Sequence, residues 1–157
     1  VLDAISRHCD KGIVREIERG LKLSASCRDF RELRKVFDSV YSGTGIPYAN
    51  SYANEVVTKA VCIFRMARGN LKDALIASVN MGRDTDCTAA IAAGISGALT
   101  GASSLPADLV RQVDHATSLN RYTNSQRTLR QHSDGLYDAF KARLRRMKTY
   151  AAEMDIP

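Results

Sequence analysis

The sequence predicts an all-α protein, and three observations carry that prediction. No segment sustains the apolar-polar alternation of a half-buried strand. Several segments repeat apolar residues at spacings of three and four, most clearly Phe30, Leu33, Val36, Phe37 and Val40. Residues 89–101 are rich in alanine, the strongest helix former. A chain of 157 residues fits one domain, 1–157, able to bury roughly 70% of its unfolded surface.

In chain order, Ile5, Ile13, Val14, Ile17 and Leu21 follow a helical period interrupted by Gly12 and Gly20, which predicts two short helices. Ser26 is placed to cap the next helix, which carries the Phe30 to Val40 stripe and ends near Tyr41. Ser42 to Pro47 then reads as a loop, because two glycines and a proline remove helical preference. Its Gly43-Thr44-Gly45 lacks the rest of a phosphate-binding motif, so the loop reads as a connector. From Tyr52 to Arg68, Val56, Val57, Ala60, Val61, Ile63, Phe64 and Ala67 cover more than half the helix circumference and predict a central, buried helix. Asn50, Ser51, Asn54 and Glu55 stand at its start, as caps or as the lining of a pocket. Gly69-Asn70 stops it, and Leu71 to Val79 resumes. Pro106 suits a first helical position ahead of Ala107 to Ala116. Residues 118–124 read as a polar connector. Residues 125–152 then form one or two amphipathic helices, with Leu129, Leu136, Tyr137, Phe140, Leu144 and Met147 turned inward and Gly135 as a break.

Composition narrows the function. The chain is 45% hydrophobic and 25% charged, as globular proteins are. No apolar run reaches the roughly 18 residues a membrane span needs, and Val1 to Asp10 lacks a signal-peptide pattern, so a cytoplasmic protein is expected. A first residue other than Met fits a chain that starts partway through a longer product. Cys9, Cys27, Cys62 and Cys87 form no C-x-x-C pair, which gives neither a zinc ribbon nor a redox motif. Much of the +6 net charge sits in Arg121 to Lys148, a solvated helix face or a docking face for an acidic partner. No aromatic-basic interleaving accompanies it, so nucleic acid is not the expected ligand. His115 and His132 have no Cys or Asp at metal-ligand spacing and read as surface or capping residues.

The chemistry concentrates in Asn80-Met81-Gly82-Arg83-Asp84-Thr85-Asp86-Cys87-Thr88, an acidic corner in a basic chain. Asp84 and Asp86 supply hard oxygen donors of the kind a divalent cation such as Mg²⁺ takes. At the start of a helix they would equally serve as caps facing its positive end. Gly94, Gly97 and Gly101 each cost the following helix up to about 1 kcal/mol relative to alanine. Either close helix packing or a ligand against that face would offset the cost.

Residues 80–101, followed by Leu105-Pro106, resemble the carboxyl-terminal metal-binding motif of the ADP-ribosylglycohydrolase family, G-x-D-x-D followed by small residues. The resemblance is specific in this centre and weak before about residue 50. It implies an all-α, orthogonal multi-helix bundle and hydrolysis of the glycosidic bond of an ADP-ribose conjugate, with two Mg²⁺ or Mn²⁺ ions. Carried over by position, Asp84 and Asp86 are metal ligands. Cys87 stands where well-studied members have a Thr ligand. A thiol binds Mg²⁺ poorly, so Thr88, a backbone oxygen or water would take that place, or one ion would be held more weakly. Gly97 and Gly101 match the small face that an ADP-ribose ligand would approach. The family's Thr-Asp-Asp motif and its G-D-x-x-G motif are missing, and the chain has no Asp-Asp pair. The resemblance thus implies that an amino-terminal part or a partner chain completes the site and supplies the catalytic residues, including an acidic group that orients the attacking water. The alternative is a non-enzymatic helical scaffold of the same family, without metal.

Overall fold

A computed structural model describes residues 2–8, 10–41, 52–120 and 126–154. Among them the regular structure is entirely helical, as the sequence predicts. The chain falls into two compact units, Val1–Leu105 and Pro106–Pro157.

The first unit contains α1 (Leu2–His8), α2 (Lys11–Ser24), α3 (Phe30–Val40), α4 (Ala53–Met66), α5 (Leu71–Val79), α6 (Thr85–Thr100) and a 3-10 turn at Ala102–Ser104. Helix α1 ends at His8 and α2 starts at Lys11, and neither Gly12 nor Gly20 breaks α2, contrary to expectation. Gly20 is buried against Thr58 and Cys62 of α4, so its missing side chain is what lets the two helices approach. The cap of α3 is Asp29, not Ser26. Its carboxylate accepts from the Arg31 and Glu32 amides, both at 2.9 Å. Asp29 directly precedes the helix in extended conformation, whereas the Ser26 hydroxyl turns back toward the Leu23 carbonyl. The expected loop at 42–47, together with Asn50 and Ser51, lies outside the described residues.

As its apolar circumference predicts, α4 is central and packs on α2, α3, α5 and α6. The shared core includes Leu33, Phe37, Tyr41, Ala60, Ile63, Ala74, Met81 and Ala92. Burying a side chain such as Phe37 in full contributes about 1.5–3 kcal/mol. The end of α4 is closed by two bonds, from Gly69 N–H to the Phe64 carbonyl and from Arg68 N–H to the Arg65 carbonyl, both 3.1 Å. This motif sets Arg68 and Gly69 in the left-handed region, at φ 52° and 76°. Asn70 then caps α5 by accepting from the Asp73 amide at 3.0 Å. Helices α5 and α6 both pack against α4 and against each other.

The second unit contains α7 (Ala107–Leu119) and α8 (Leu129–Glu153). Thr128 and Gln131 form a capping box at the start of α8, and Asp114 of α7 accepts from the Leu129 amide at 2.7 Å. Helix α7 continues through Ser118, where a connector was expected, and Gly135 does not break α8. Nor does the apolar stripe of α8 turn inward, since Leu136, Tyr137, Phe140, Leu144 and Met147 are all exposed. Helix length explains this within the unit. The 13 residues of α7 span about 20 Å and the 25 of α8 about 38 Å, so one helix leaves much of the other uncovered. No helix among the described residues is long and apolar enough to cross a membrane.

Candidate metal centre

The acidic corner joins α5 to α6, and its backbone is held from three sides. Met81 is buried in the core and fixes the end of α5. Arg34 of α3 donates from Nη1 to the Asn80 carbonyl at 3.0 Å. Gly82 and Arg83 then both take left-handed conformations, at φ 82° and 60°. Glycine accepts this without cost, whereas a residue with a Cβ pays roughly 1–2 kcal/mol. The Arg83 side chain is tied by its Nε to Glu55 Oε1 at 2.7 Å. That same oxygen accepts from Lys59 Nζ at 2.7 Å.

Asp84 is the N-cap of α6. Its carboxylate accepts from the Cys87 amide, but at 3.4 Å, a long contact that leaves much of its hydrogen-bonding capacity free. Asp86 lies in the first helical turn. Asp84 therefore caps the helix, one of the two roles expected of it, while its carboxylate also lies beside the donor atoms of Asp86 and Cys87. Ligand atoms of Asp84, Asp86 and Cys87 all lie within 4.8 Å of one another, and among the described residues this is the one such group of three. Asp86 and Cys87 are exposed and Asp84 is half-buried. Thr88 is placed differently. It is buried, and its hydroxyl donates to the Asp84 carbonyl at 2.7 Å, so it is engaged in the first turn of the helix.

The charges of the corner act on one another. A hydrogen bond from the Cys87 thiol, followed by contact with Asp86 and the more distant positive charge of Lys59, holds the Asp84 carboxyl below the usual carboxylate range. The same hydrogen bond, with the negative charges of Asp84 and Asp86, pushes the Cys87 thiol up. The bond thus favours the ionised form of Asp84 and the protonated form of Cys87. Two carboxylates this close at an exposed helix start suit a hard divalent cation, whose charge would relieve their mutual repulsion. The neutral thiol adds a soft atom at the edge of that set.

The glycines of α6 divide by cause. Gly101 ends the helix at φ 80° and ψ 170°, a conformation that only glycine adopts freely, so the backbone accounts for it. A Cβ at Gly94 would meet nothing within 4 Å, and one at Gly97 would only touch Leu71 Cδ1 at 4.0 Å. Close packing among the described residues therefore does not explain these two positions. Gly97 lies about 16 Å along the helix from Asp86, and Gly101 about 22 Å. Among the described residues, His115 and His132 join no group of potential metal ligands.

Sequence reasoning missed Lys59 and Arg34 altogether and gave Glu55 only as a cap or pocket residue. The available signal was an acid and a base four residues apart within a helix otherwise apolar over most of its circumference.

A family model described as ADP-ribosylglycohydrolase matches residues 1–144. Comparison with curated proteins and with solved structures gives no significant match.

Proposed function

The chain belongs to the ADP-ribosylglycohydrolase family, and from that premise we propose that it forms part of a metal-dependent hydrolase cleaving a glycosidic bond of ADP-ribose. The observation that carries the reading is the convergence of Asp84, Asp86 and Cys87 donor atoms within 4.8 Å at the start of α6, inside the matched region. The two carboxylates fit Mg²⁺ or Mn²⁺, and Asp84 and Asp86 would hold the ion, with Cys87 at most a weak ligand. When bound, such ions supply positive charge that stabilises negative charge developing on oxygen and lowers the pKa of bound water.

This chain's own residues do the rest of the positioning. The turn at Gly82 and Arg83 leads into the helix start where Asp84 and Asp86 stand, and the hydrogen bond from Cys87 favours the ionised Asp84 carboxylate. The open face around Gly97 offers a place where an ADP-ribose ligand approaches α6 closely. Three donors fill at most half of an octahedral shell, so two ions need further carboxylates. We assign those, and the group that orients the attacking water, to an amino-terminal part of the protein or to a partner chain.

A second reading is favoured by the cap itself. If Asp84 acts only through its bond to the Cys87 amide, the chain is a metal-free helical scaffold. Manganese titration followed by electron paramagnetic resonance separates the two. Saturable binding that is lost in Asp84→Asn and Asp86→Asn supports the hydrolase, as does loss of ADP-ribose release in the complete assembly. Absence of saturable binding, or near-normal turnover in either variant, refutes it.

A further inference from the structure

We propose that Glu55, Lys59 and Arg83 form a buried ionic anchor that fixes the conformation of the acidic corner, with Glu55 as its positioning residue. Its consequence for metal binding rests on the reading of Asp84 and Asp86 as ligands. The anchor itself does not.

Burial comes first. Glu55, in the first turn of α4, is 4% exposed, and Lys59, one turn further along the same helix, is 1% exposed. Removing two charges from water costs several kcal/mol per ion, and the mutual attraction of a buried pair seldom returns more than that. Two apolar residues at these positions would serve the core at least as well. The arrangement therefore calls for a reason other than stability, and the partner across the chain supplies one.

Geometry comes second. One oxygen, Glu55 Oε1, receives both Lys59 Nζ and Arg83 Nε at 2.7 Å. Arg83 lies 28 residues away and enters from the corner, with a side chain 23% exposed. It holds φ 60° without being glycine, a strained backbone that persists only where the surroundings determine it. Glu55 determines it here. Releasing Arg83 would let the backbone leave the left-handed region, and Asp84 is the next residue along.

Charge comes third. Glu55 alone leaves its two cations in excess by one, and the Lys59 charge acts favourably on the Asp84 carboxylate. The Asp84 charge brings these four groups to neutrality and leaves that of Asp86 uncompensated toward solvent. The Tyr41 ring lies 5.5 Å from Lys59 Nζ, and the Tyr41 hydroxyl is itself bonded to Glu16.

The test compares amide hydrogen exchange across residues 82–87 and Mn²⁺ affinity in the 157-residue chain and its variants. Arg83→Gln leaves the Glu55–Lys59 pair intact, so the fold survives while the link to the corner is cut. Exchange at 82–87 is expected to rise about tenfold, with Mn²⁺ affinity falling about tenfold. Glu55→Gln is expected to do the same, and if it does not fold, Arg83→Gln decides the matter. Asp86→Asn is the control, expected to lose Mn²⁺ while exchange stays as in the parent chain. A folded Arg83→Gln chain with unchanged exchange overturns the anchor. Should the parent chain bind no Mn²⁺, the metal reading fails, and the exchange rates alone still decide whether the anchor exists.

Discussion

Replacing Gly20 or Gly94 with alanine is expected to change stability in opposite directions, although both glycines lie inside helices. Intrinsic propensity favours alanine over glycine in a helix interior by about 0.8–1 kcal/mol. At Gly94, in α6, an added Cβ meets nothing within 4 Å, so Gly94→Ala should be more stable by about that amount. At Gly20, in α2, the Cβ would lie 2.3 Å from Thr58 Cγ2 and 3.3 Å from Cys62 Sγ. Thr58 is fully buried and β-branched, so it cannot swing away. Restoring an ordinary contact of at least 3.4 Å requires α2 and α4 to separate locally. Overpacking of this kind costs about 1–3 kcal/mol, which exceeds or at least cancels the propensity gain. Gly20→Ala should therefore be destabilised by up to about 2 kcal/mol. Urea denaturation followed by far-ultraviolet circular dichroism measures both, with the slope of the transition checked for constancy. Adding Thr58→Ser removes Cγ2 and should recover part of the loss, a coupling of about 1 kcal/mol or more. If Gly20→Ala is as stabilising as Gly94→Ala, then α2 does not approach α4 at that point, and the packing argument for Gly20 is wrong.

Three further outcomes follow from the same structure. Phe37→Ala empties a fully buried site and should cost about 3–5 kcal/mol, whereas Phe140→Ala, on the exposed α8 stripe, should stay within about 0.5 kcal/mol by the same urea assay. Asp29→Ala removes the acceptor of two amide hydrogen bonds and should cost about 1 kcal/mol, while Ser26→Ala should be close to neutral. The thiol of Cys87 has its pKa raised by its bond to Asp84. That bond is present while the thiol is protonated, below its unfolded value, and its contribution is lost as pH rises through the higher folded value. Iodoacetamide labelling of Cys87, read by peptide mass spectrometry, should therefore rise at higher pH than for an ordinary thiol, and Asp84→Asn should shift the profile back down; an unshifted profile would mean that the bond is absent.

The fold was legible wherever a single period decided it. The stripe from Phe30 to Val40 and the apolar circumference of α4 both reappear as helices within a residue or two of their expected ends. Where two signals competed, the sequence misled. Gly20 reads as a break because glycine weakens a helix, but here close packing against α4 offsets that cost. Ser26 reads as a cap by residue type, and Asp29 is one too; only the position of the first helical turn decides between them. The stripe of α8 is legible as amphipathic, yet amphipathicity says which face is apolar and not whether anything covers it.

At the site, the sequence showed the groups that present oxygen and hid those that hold them in place. Asp84 and Asp86 stand two apart behind a glycine, a local pattern, and the structure brings them together at the start of α6. Glu55 and Lys59 also form a local pattern, but an acid four residues before a base normally reads as a surface pair worth a few tenths of a kcal/mol. Only the central position of α4 converts that pair into a buried one, and only the return of the chain at Gly82 brings Arg83 to it. That contact crosses 28 residues, beyond the reach of any helical period. The difference has a physical cause. Groups that are to meet a ligand must reach solvent and so can sit on one short turn, whereas a turn strained at Arg83 has to be held by the core behind it. A corner built this way should tolerate substitution of its half-buried Thr85 better than substitution of Glu55, whose bond to Arg83 reaches the corner from α4.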